Sequence, residues 1–394
     1  MITAITAAEL LSSTGQISSP VILVEDGVIT KLGPASAVEI PGNAALREFS
    51  GAVLAPGFID IHIHGSAGYD VMQGDQKGLE KMASFLAQRG VTSFLATTVT
   101  AETPVLLASI ERLAEQIHNW HSETAAAVPF GIHMEGPWIS KARCGVHPTS
   151  AIENPTLEMF DRYYRAANGH LRLITIAPEL PGATELIREA VKRGVRISLG
   201  HTDGLQKDAD AAIEAGATHA THTFNAMRPL NHREPGVVGR VLASEAMSAE
   251  IIADGIHVDQ TVVELFLRCK GVERSVLVTD AISASGMPDG KYKLGTFEVT
   301  VQGSRCEFGG KLAGSVLTLE GAVQNVMRFS GWGIEDAVRL VTANPARVIG
   351  ESGRGALTAG NRADITVLSR KGEVIECFAA GIPAIGKSGT HAAS

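Results

Sequence analysis

Five separate apolar runs in this chain each end in a side chain that can ligate a metal. The run Gly57-Phe58-Ile59-Asp60-Ile61-His62-Ile63-His64 ends in His-x-His. Side chains two apart on a strand share a face, so the two imidazoles project together. Further along, the run 128–135 ends in Glu135, 195–201 ends in His201, Ala220-Thr221-His222 carries His222, and 276–280 ends in Asp280. Two histidines are half of a metal site and gain meaning only from partners of this kind. A chain with such groups at five strand ends must fold so that those ends meet.

The segments between the runs say how. Strands are predicted at 57–64, 91–99, 128–135, 171–178, 195–201, 217–223, 250–257 and 275–280. Amphipathic stretches lie between most of them, at 76–89, 102–120, 183–193, 205–215 and 259–270, with apolar residues at three- and four-residue spacing. Gly90, Gly194, Gly216 and Gly271 each stand between a helical pattern and the next strand, the signal of a helix C-cap. Eight strands alternating with helices read as an α/β protein, a (β/α)8 TIM barrel over residues 56–349. The ligand-type residues fall at the C-terminal ends of strands one, three, five, six and eight, the face that carries the active site in such barrels. The alternative, an open doubly wound sheet, would not gather five strand ends around one centre.

The flanks read differently. Residues 1–55 contain two β runs around the Asp26-Gly27 turn, and the tail has β runs at 363–368 and 372–378. Both ends are expected to pair into a small β-sandwich domain formed by 1–55 and 350–394. A β-rich insert at about 291–310 follows strand eight. The residues from about Lys387 are expected to be disordered.

Size and charge narrow the function. A chain of 394 residues can bury a large core. Its net charge of −8 argues against non-specific binding to nucleic acid, so an anionic ligand must be met by local basic residues. Cys144, Cys269, Cys306 and Cys377 lie far apart, which argues against a disulfide framework or a thiolate zinc site. No apolar run is long enough to span a membrane. The start, Met1-Ile2-Thr3-Ala4-Ile5-Thr6, lacks a basic stretch before an apolar core, and a cytoplasmic location is expected.

Seven segments together resemble the amidohydrolase superfamily, and within it the N-acetylglucosamine-6-phosphate deacetylase family. They are Pro56–Gly65, His133-Met134-Glu135-Gly136-Pro137, Gly200-His201-Thr202, His222-Thr223-Phe224-Asn225-Ala226-Met227, Arg233-Glu234-Pro235-Gly236, Ala253-Asp254-Gly255-Ile256-His257 and Val278-Thr279-Asp280-Ala281. The resemblance covers nearly the whole chain. Relatives acting on cyclic amides bridge two metals with a modified lysine at the end of strand four. Residues 171–179 hold no lysine, and Glu135 is the available bridging carboxylate.

The resemblance implies a hydrolase that converts N-acetyl-D-glucosamine 6-phosphate to D-glucosamine 6-phosphate and acetate by metal-activated water. The galactosamine isomer is the near alternative, and a catalytically inactive binding protein on the same fold the distant one. One or two divalent metals per subunit are implied, zinc first, with iron, manganese or cobalt as alternatives. Glu135, His201 and His222 are assigned to one metal, and His62, His64 and Asp280 to a second, with Glu135 reaching both. Asp280 is implied as general base and acid. His147, in the loop 138–148 beside Val146, is implied as the contact that holds the developing oxyanion. For the substrate, the resemblance implies Arg233 and His257 at the phosphate, with Asn225 and Ala226 nearby. Asp254 is expected to position its loop or touch a sugar hydroxyl, and Leu312, Ala313 and Gly314 to form the wall opposite the sugar. Arg228 and His232 read as surface groups, and Cys144 as part of a lid with no base beside it. His133 reads as either a supporting or a core histidine, while His118, His121, His170, His219 and His391 show no partner pattern. A homodimer is also implied.

Overall fold

The computed structural model describes residues 1–12, 15–74 and 76–385; the tail expected to be disordered, and His391 within it, lie outside the described residues. Eight parallel strands carry the architecture: β1 (Phe58–Ile63), β2 (Val91–Thr98), β3 (Val128–Glu135), β4 (Leu171–Ile176), β5 (Arg196–Leu199), β6 (His219–Ala220), β7 (Ala249–Ile251) and β8 (Ser275–Leu277). The first six form one curled sheet in sequential order, and β7 pairs with β8. Backbone hydrogen bonds link the two groups at both margins. Thr223 N donates to Glu250 O at 2.9 Å, and Asp280 N donates to His62 O at 2.9 Å. The strands are buried on both faces, which is why they read as unbroken apolar runs rather than alternating ones.

The helices follow the strands: α1 (Gln76–Gln88), α2 (Thr103–His118), α3 (Leu157–Ala166), α4 (Ala183–Lys192), α5 (Gln206–Ala215), α6 (Gly236–Ala243), α7 (Gln260–Arg274) and α8 (Leu319–Ser330). Each buries one stripe against the sheet. In α2 that stripe is Leu106, Ile110, Leu113 and Ile117, at helical spacing. Thr156, Asp259 and Thr318 cap α3, α7 and α8 by accepting from backbone N–H groups in the first turn. No helix of the described residues is long and apolar enough to cross a membrane.

Several strand expectations were too long, two of them most of all. The runs 217–223 and 250–257 shrink to two and three residues, because the chain leaves the sheet to build loops over the strand ends. The segment Asp254–His257 therefore lies in a loop. The flanks meet in one eight-stranded mixed sheet, in which Ile2–Ser12 runs parallel to Ala45–Pro56 and Ile365–Leu368 pairs antiparallel with Pro56 back to Val53. The insert is a four-stranded antiparallel sheet from Gly290 to Leu312. Its base is fastened beside β8, where Ser315 N donates to Asp280 O at 2.8 Å.

Candidate active site

The strand ends bring six predicted residues into one buried cage. Glu135, at the end of β3, is its centre. One carboxylate oxygen lies 2.9 Å from His222 Nε2, 3.0 Å from His201 Nε2 and 3.4 Å from His62 Nε2. The other lies 3.3 Å from His64 Nε2 and 3.3 Å from His147 Nε2. Asp280 Oδ1 stands 3.1 Å from His64 Nε2 and 3.6 Å from His62 Nε2. Three of these residues turn off their strands in the left-handed region, with φ of 47° at His201, 24° at His222 and 48° at Asp280. Non-glycine residues rarely adopt it, and such local strain is characteristic of sites where function dictates where a side chain points.

The hydrogen bonds behind the rings decide what the front atoms can do. His64 Nδ1 donates to Thr97 O at 2.9 Å and His201 Nδ1 donates to Arg143 O at 3.0 Å. His62 Nδ1 donates to the Glu250 carboxylate at 3.0 Å. Each acceptor holds a proton on Nδ1, so in the neutral ring each Nε2 presents a lone pair to the cage. His62 Nε2 is buried with no hydrogen-bond partner among the described residues. Lone pairs aimed at carboxylates in a dry pocket need positive charge between them. A divalent cation fits this donor set of imidazole and carboxylate.

His147 is built the other way round. Thr100 N donates to its Nδ1 at 3.2 Å, so the proton sits on Nε2 and that atom is a donor. Although His147 lies with Glu135 and His201 in a group spaced for a metal, its tautomer suits a carbonyl oxygen. Burial draws its pKa down to about 4, so the ring is neutral.

The electrostatics agree with a centre that attracts cations. Burial pushes Glu135 up, but the facing His62 and His201 outweigh it and hold the carboxyl well below its ordinary value. Burial likewise raises Asp280, and the His64 contact reverses it. Burial lowers His64, yet Asp280 and Glu135 push it up to about 9.

Around the cage the loops carry the other predicted residues. The loop after β3 lies against His201: a Cβ on Gly145, whose φ is +60°, would stand 3.4 Å from His201 Cε1. Arg143 Nε donates to Asp203 at 2.8 Å, and Arg228 Nη2 to the same carboxylate at 2.5 Å, tying the loops after β3, β5 and β6 together. Arg228 keeps about a third of its side chain exposed while it makes this bridge, and His232 is exposed. Cys144 is half-buried in the loop after β3. Val146 is half-buried beside His147. Asn225 donates to His222 O at 3.3 Å, and Ala226 O accepts from Thr202 N at 3.1 Å. Asp254 accepts from His257 Nδ1 at 2.7 Å and from the His257 backbone N–H at 2.8 Å. Burial lowers His257, but Asp254 outweighs it and raises the pKa. Arg233 is exposed, on the loop between β6 and α6. Leu312 and Ala313 close the insert, and a Cβ on Gly314 would run into Ile282 at 2.3 Å.

Sequence reasoning missed the layer beneath. Glu250 is fully buried and accepts from His62 Nδ1, from His219 Nε2 at 3.1 Å and from His222 N at 3.1 Å, so His219 does have a partner. Asp60 accepts from Thr279 Oγ1 at 2.6 Å and from His62 N at 3.2 Å, pinning β1 to the end of β8. Burial pushes Asp60 up to about 7 against those hydrogen bonds. His133 bonds Thr175 at 2.8 Å and packs edge-on against His62, a supporting role rather than a cage position. A buried acid in an apolar run was the available signal for both Asp60 and Glu250.

The chain belongs to the Amidohydrolase family, whose description it matches over residues 53–382. It is 36% identical to N-acetylglucosamine-6-phosphate deacetylase of Lysinibacillus sphaericus, over 91% of this chain and 92% of that one. It is also 36% identical to N-acetylgalactosamine-6-phosphate deacetylase of Escherichia coli O157:H7, over 92% of this chain and 94% of the relative. Among solved structures, it is similar to an aspartate-to-alanine mutant of N-acetyl-D-glucosamine-6-phosphate deacetylase from Mycobacterium smegmatis in complex with N-acetyl-D-glucosamine-6-phosphate. That similarity has a TM-score of 0.91 at 32% identity and covers 98% of this chain and 99% of the other.

Proposed function

We infer that the chain hydrolyses N-acetyl-D-glucosamine 6-phosphate to D-glucosamine 6-phosphate and acetate. The observation that carries this is the cage itself: Nε2 lone pairs of His62, His64 and His201 converging on Glu135 and Asp280, in a chain so similar to deacetylases of that sugar. His62, His64, Glu135, His201, His222 and Asp280 would hold one or two divalent cations, zinc first and iron, manganese or cobalt as alternatives. Such a cation supplies a water of lowered pKa and polarises the amide carbonyl.

The chain's own groups do the rest. His147 donates from Nε2 to the carbonyl oxygen as charge develops there. Asp280 takes a proton from the attacking water and returns it to the sugar nitrogen as the carbon–nitrogen bond breaks. Arg233 and His257 bind the phosphate by charge-assisted hydrogen bonds, with Asn225 and Ala226 beside them. Val146, Asp254, Leu312, Ala313 and Gly314 shape the sugar subsite.

The same reading takes the eight strands as a closed (β/α)8 barrel over 56–349, supported by the hydrogen bonds at both margins. It takes the flanks, 1–55 and 350–394, as a β-sandwich domain, supported by the apolar cluster that Ile5, Ile22, Leu54 and Phe378 share. It includes a cytoplasmic homodimer, in keeping with a small phosphorylated substrate. The galactosamine isomer is the second reading, favoured by the equal identity to the Escherichia coli O157:H7 relative. Acetate release from both phosphorylated sugars and from unphosphorylated N-acetylglucosamine is the test. Preferential turnover of N-acetylglucosamine 6-phosphate is expected. Preference for the galactosamine isomer would replace the substrate, and no release from any would reject the deacetylase.

A further inference from the structure

We propose that Glu250 is a positioning residue that keeps the proton of His62 on Nδ1 and so sets how firmly the His62, His64 and Asp280 position holds a cation. The proposal rests on the metal-dependent reading above and concerns a residue that touches neither substrate nor the predicted ligand atoms.

Three rings of the cage have their tautomer set from behind. For His64 and His201 the acceptor is a main-chain carbonyl, of Thr97 and of Arg143. For His62 alone it is a side chain, the fully buried carboxylate of Glu250 on β7. An ionised carboxylate only accepts, so His62 Nδ1 must donate, and in the neutral ring that a cation would bind Nε2 carries the lone pair. That lone pair faces Glu135 at 3.4 Å and Asp280 at 3.6 Å and has no hydrogen-bond partner among the described residues.

Remove the acceptor and the proton is free to move to Nε2. There it would sit between His62 and the two carboxylates, in the place a cation needs. His219 completes the device: its Nε2 holds the second oxygen of Glu250 at 3.1 Å, so the carboxylate cannot swing away from His62. The His222 N–H, at 3.1 Å, shares the first oxygen and couples the end of β6 to the same group. An outer carboxylate on a ligating histidine also raises its basicity, and loss of such a partner typically costs about 10–100-fold in metal affinity.

The test is a graded chelator challenge of the full-length holoenzyme, with retained ions counted by mass spectrometry. Glu250→Gln removes the charge at constant shape and turns one of the two accepting oxygens into a donor, so three N–H groups compete for a single acceptor. It is expected to lose the ion of the His62 position at about 10–100-fold lower chelator than the native protein. The Glu250→Gln, His62→Asn double variant is expected to lose no more than His62→Asn alone, because Glu250 acts through that ring. Unchanged retention in Glu250→Gln, or additive losses in the double variant, would overturn the assignment. Should Glu250→Gln fail to fold, His219→Phe is read in the same assay: a smaller loss in the same direction supports the proposal, and no loss overturns it. Acetate release by the native protein is measured alongside. Ions retained without release would sink the deacetylase reading and leave Glu250 in place, whereas release with no Glu250 effect would do the reverse.

Discussion

The two ends of this molecule are stable for opposite reasons. In the terminal sheet Ile5, Leu10, Ile22, Val24, Ile29, Leu54, Ile365, Val367 and Phe378 form an apolar cluster whose stability comes from area removed from water. Beneath the C-terminal ends of the parallel strands, Asp60, His62, His133 and Glu250 are just as deeply buried and all polar. Burying such groups is tolerable only because each finds a partner. The sheet therefore tolerates apolar side chains of about the right size, while the cage depends on which atom carries which proton. Substitutions should separate the two ends, destroying activity in one and stability in the other.

The largest separation is expected at Glu135, which touches five imidazoles. Glu135→Gln should abolish acetate release and weaken metal retention by more than the about 10–100-fold expected for an outer group, as measured by the chelator challenge. Next comes Asp280→Asn, expected to lower turnover by about 10²–10⁴ while losing less metal than Glu135→Gln, because proton transfer goes but an oxygen donor stays. Near-normal turnover would remove Asp280 from the proton-transfer role. A smaller effect is expected at the substrate end: Arg233→Ala should raise KM for the phosphorylated sugar about 10-fold or more, with little change for the unphosphorylated one. Equal changes on both would make Arg233 structural.

At the other end, Leu54→Ala should cost about 2–5 kcal/mol in denaturant unfolding, and the folded fraction should keep its KM. A changed KM would mean the sheet and the cage are coupled, and the contrast between them would fail. The pH behaviour sharpens the same contrast. His257 is raised by Asp254, so its contribution to stability and to phosphate binding is complete below the ordinary histidine value and lost as pH rises through the raised one. KM for the phosphorylated sugar should climb as pH rises through that interval and stop doing so in His257→Gln.

Much of the cage was legible because its side chains sit at strand ends, where an apolar run stops at a single polar residue. His62, His64, Glu135, His201, His222 and Asp280 all announced themselves that way. Glu250 and Asp60 did not, since each lies within a run rather than at its close, and His219 looked isolated because its partner is 31 residues away. The short β6 and β7 were overextended for a related reason: the residues after them are apolar enough to read as strand, yet they turn into loops around the mouth.

From the sequence alone came the order of strands and helices, the end of each strand at which chemistry collects, and the residue types able to do it, because these depend on local periodicity and on what each side chain can bond. Which ring nitrogen faces inward, that His147 is a donor while its neighbours are acceptors, and that Glu250 stands behind His62 were decided only by the tertiary structure. Those properties depend on which hydrogen-bond partner lies across the sheet, and no spacing along the chain specifies it.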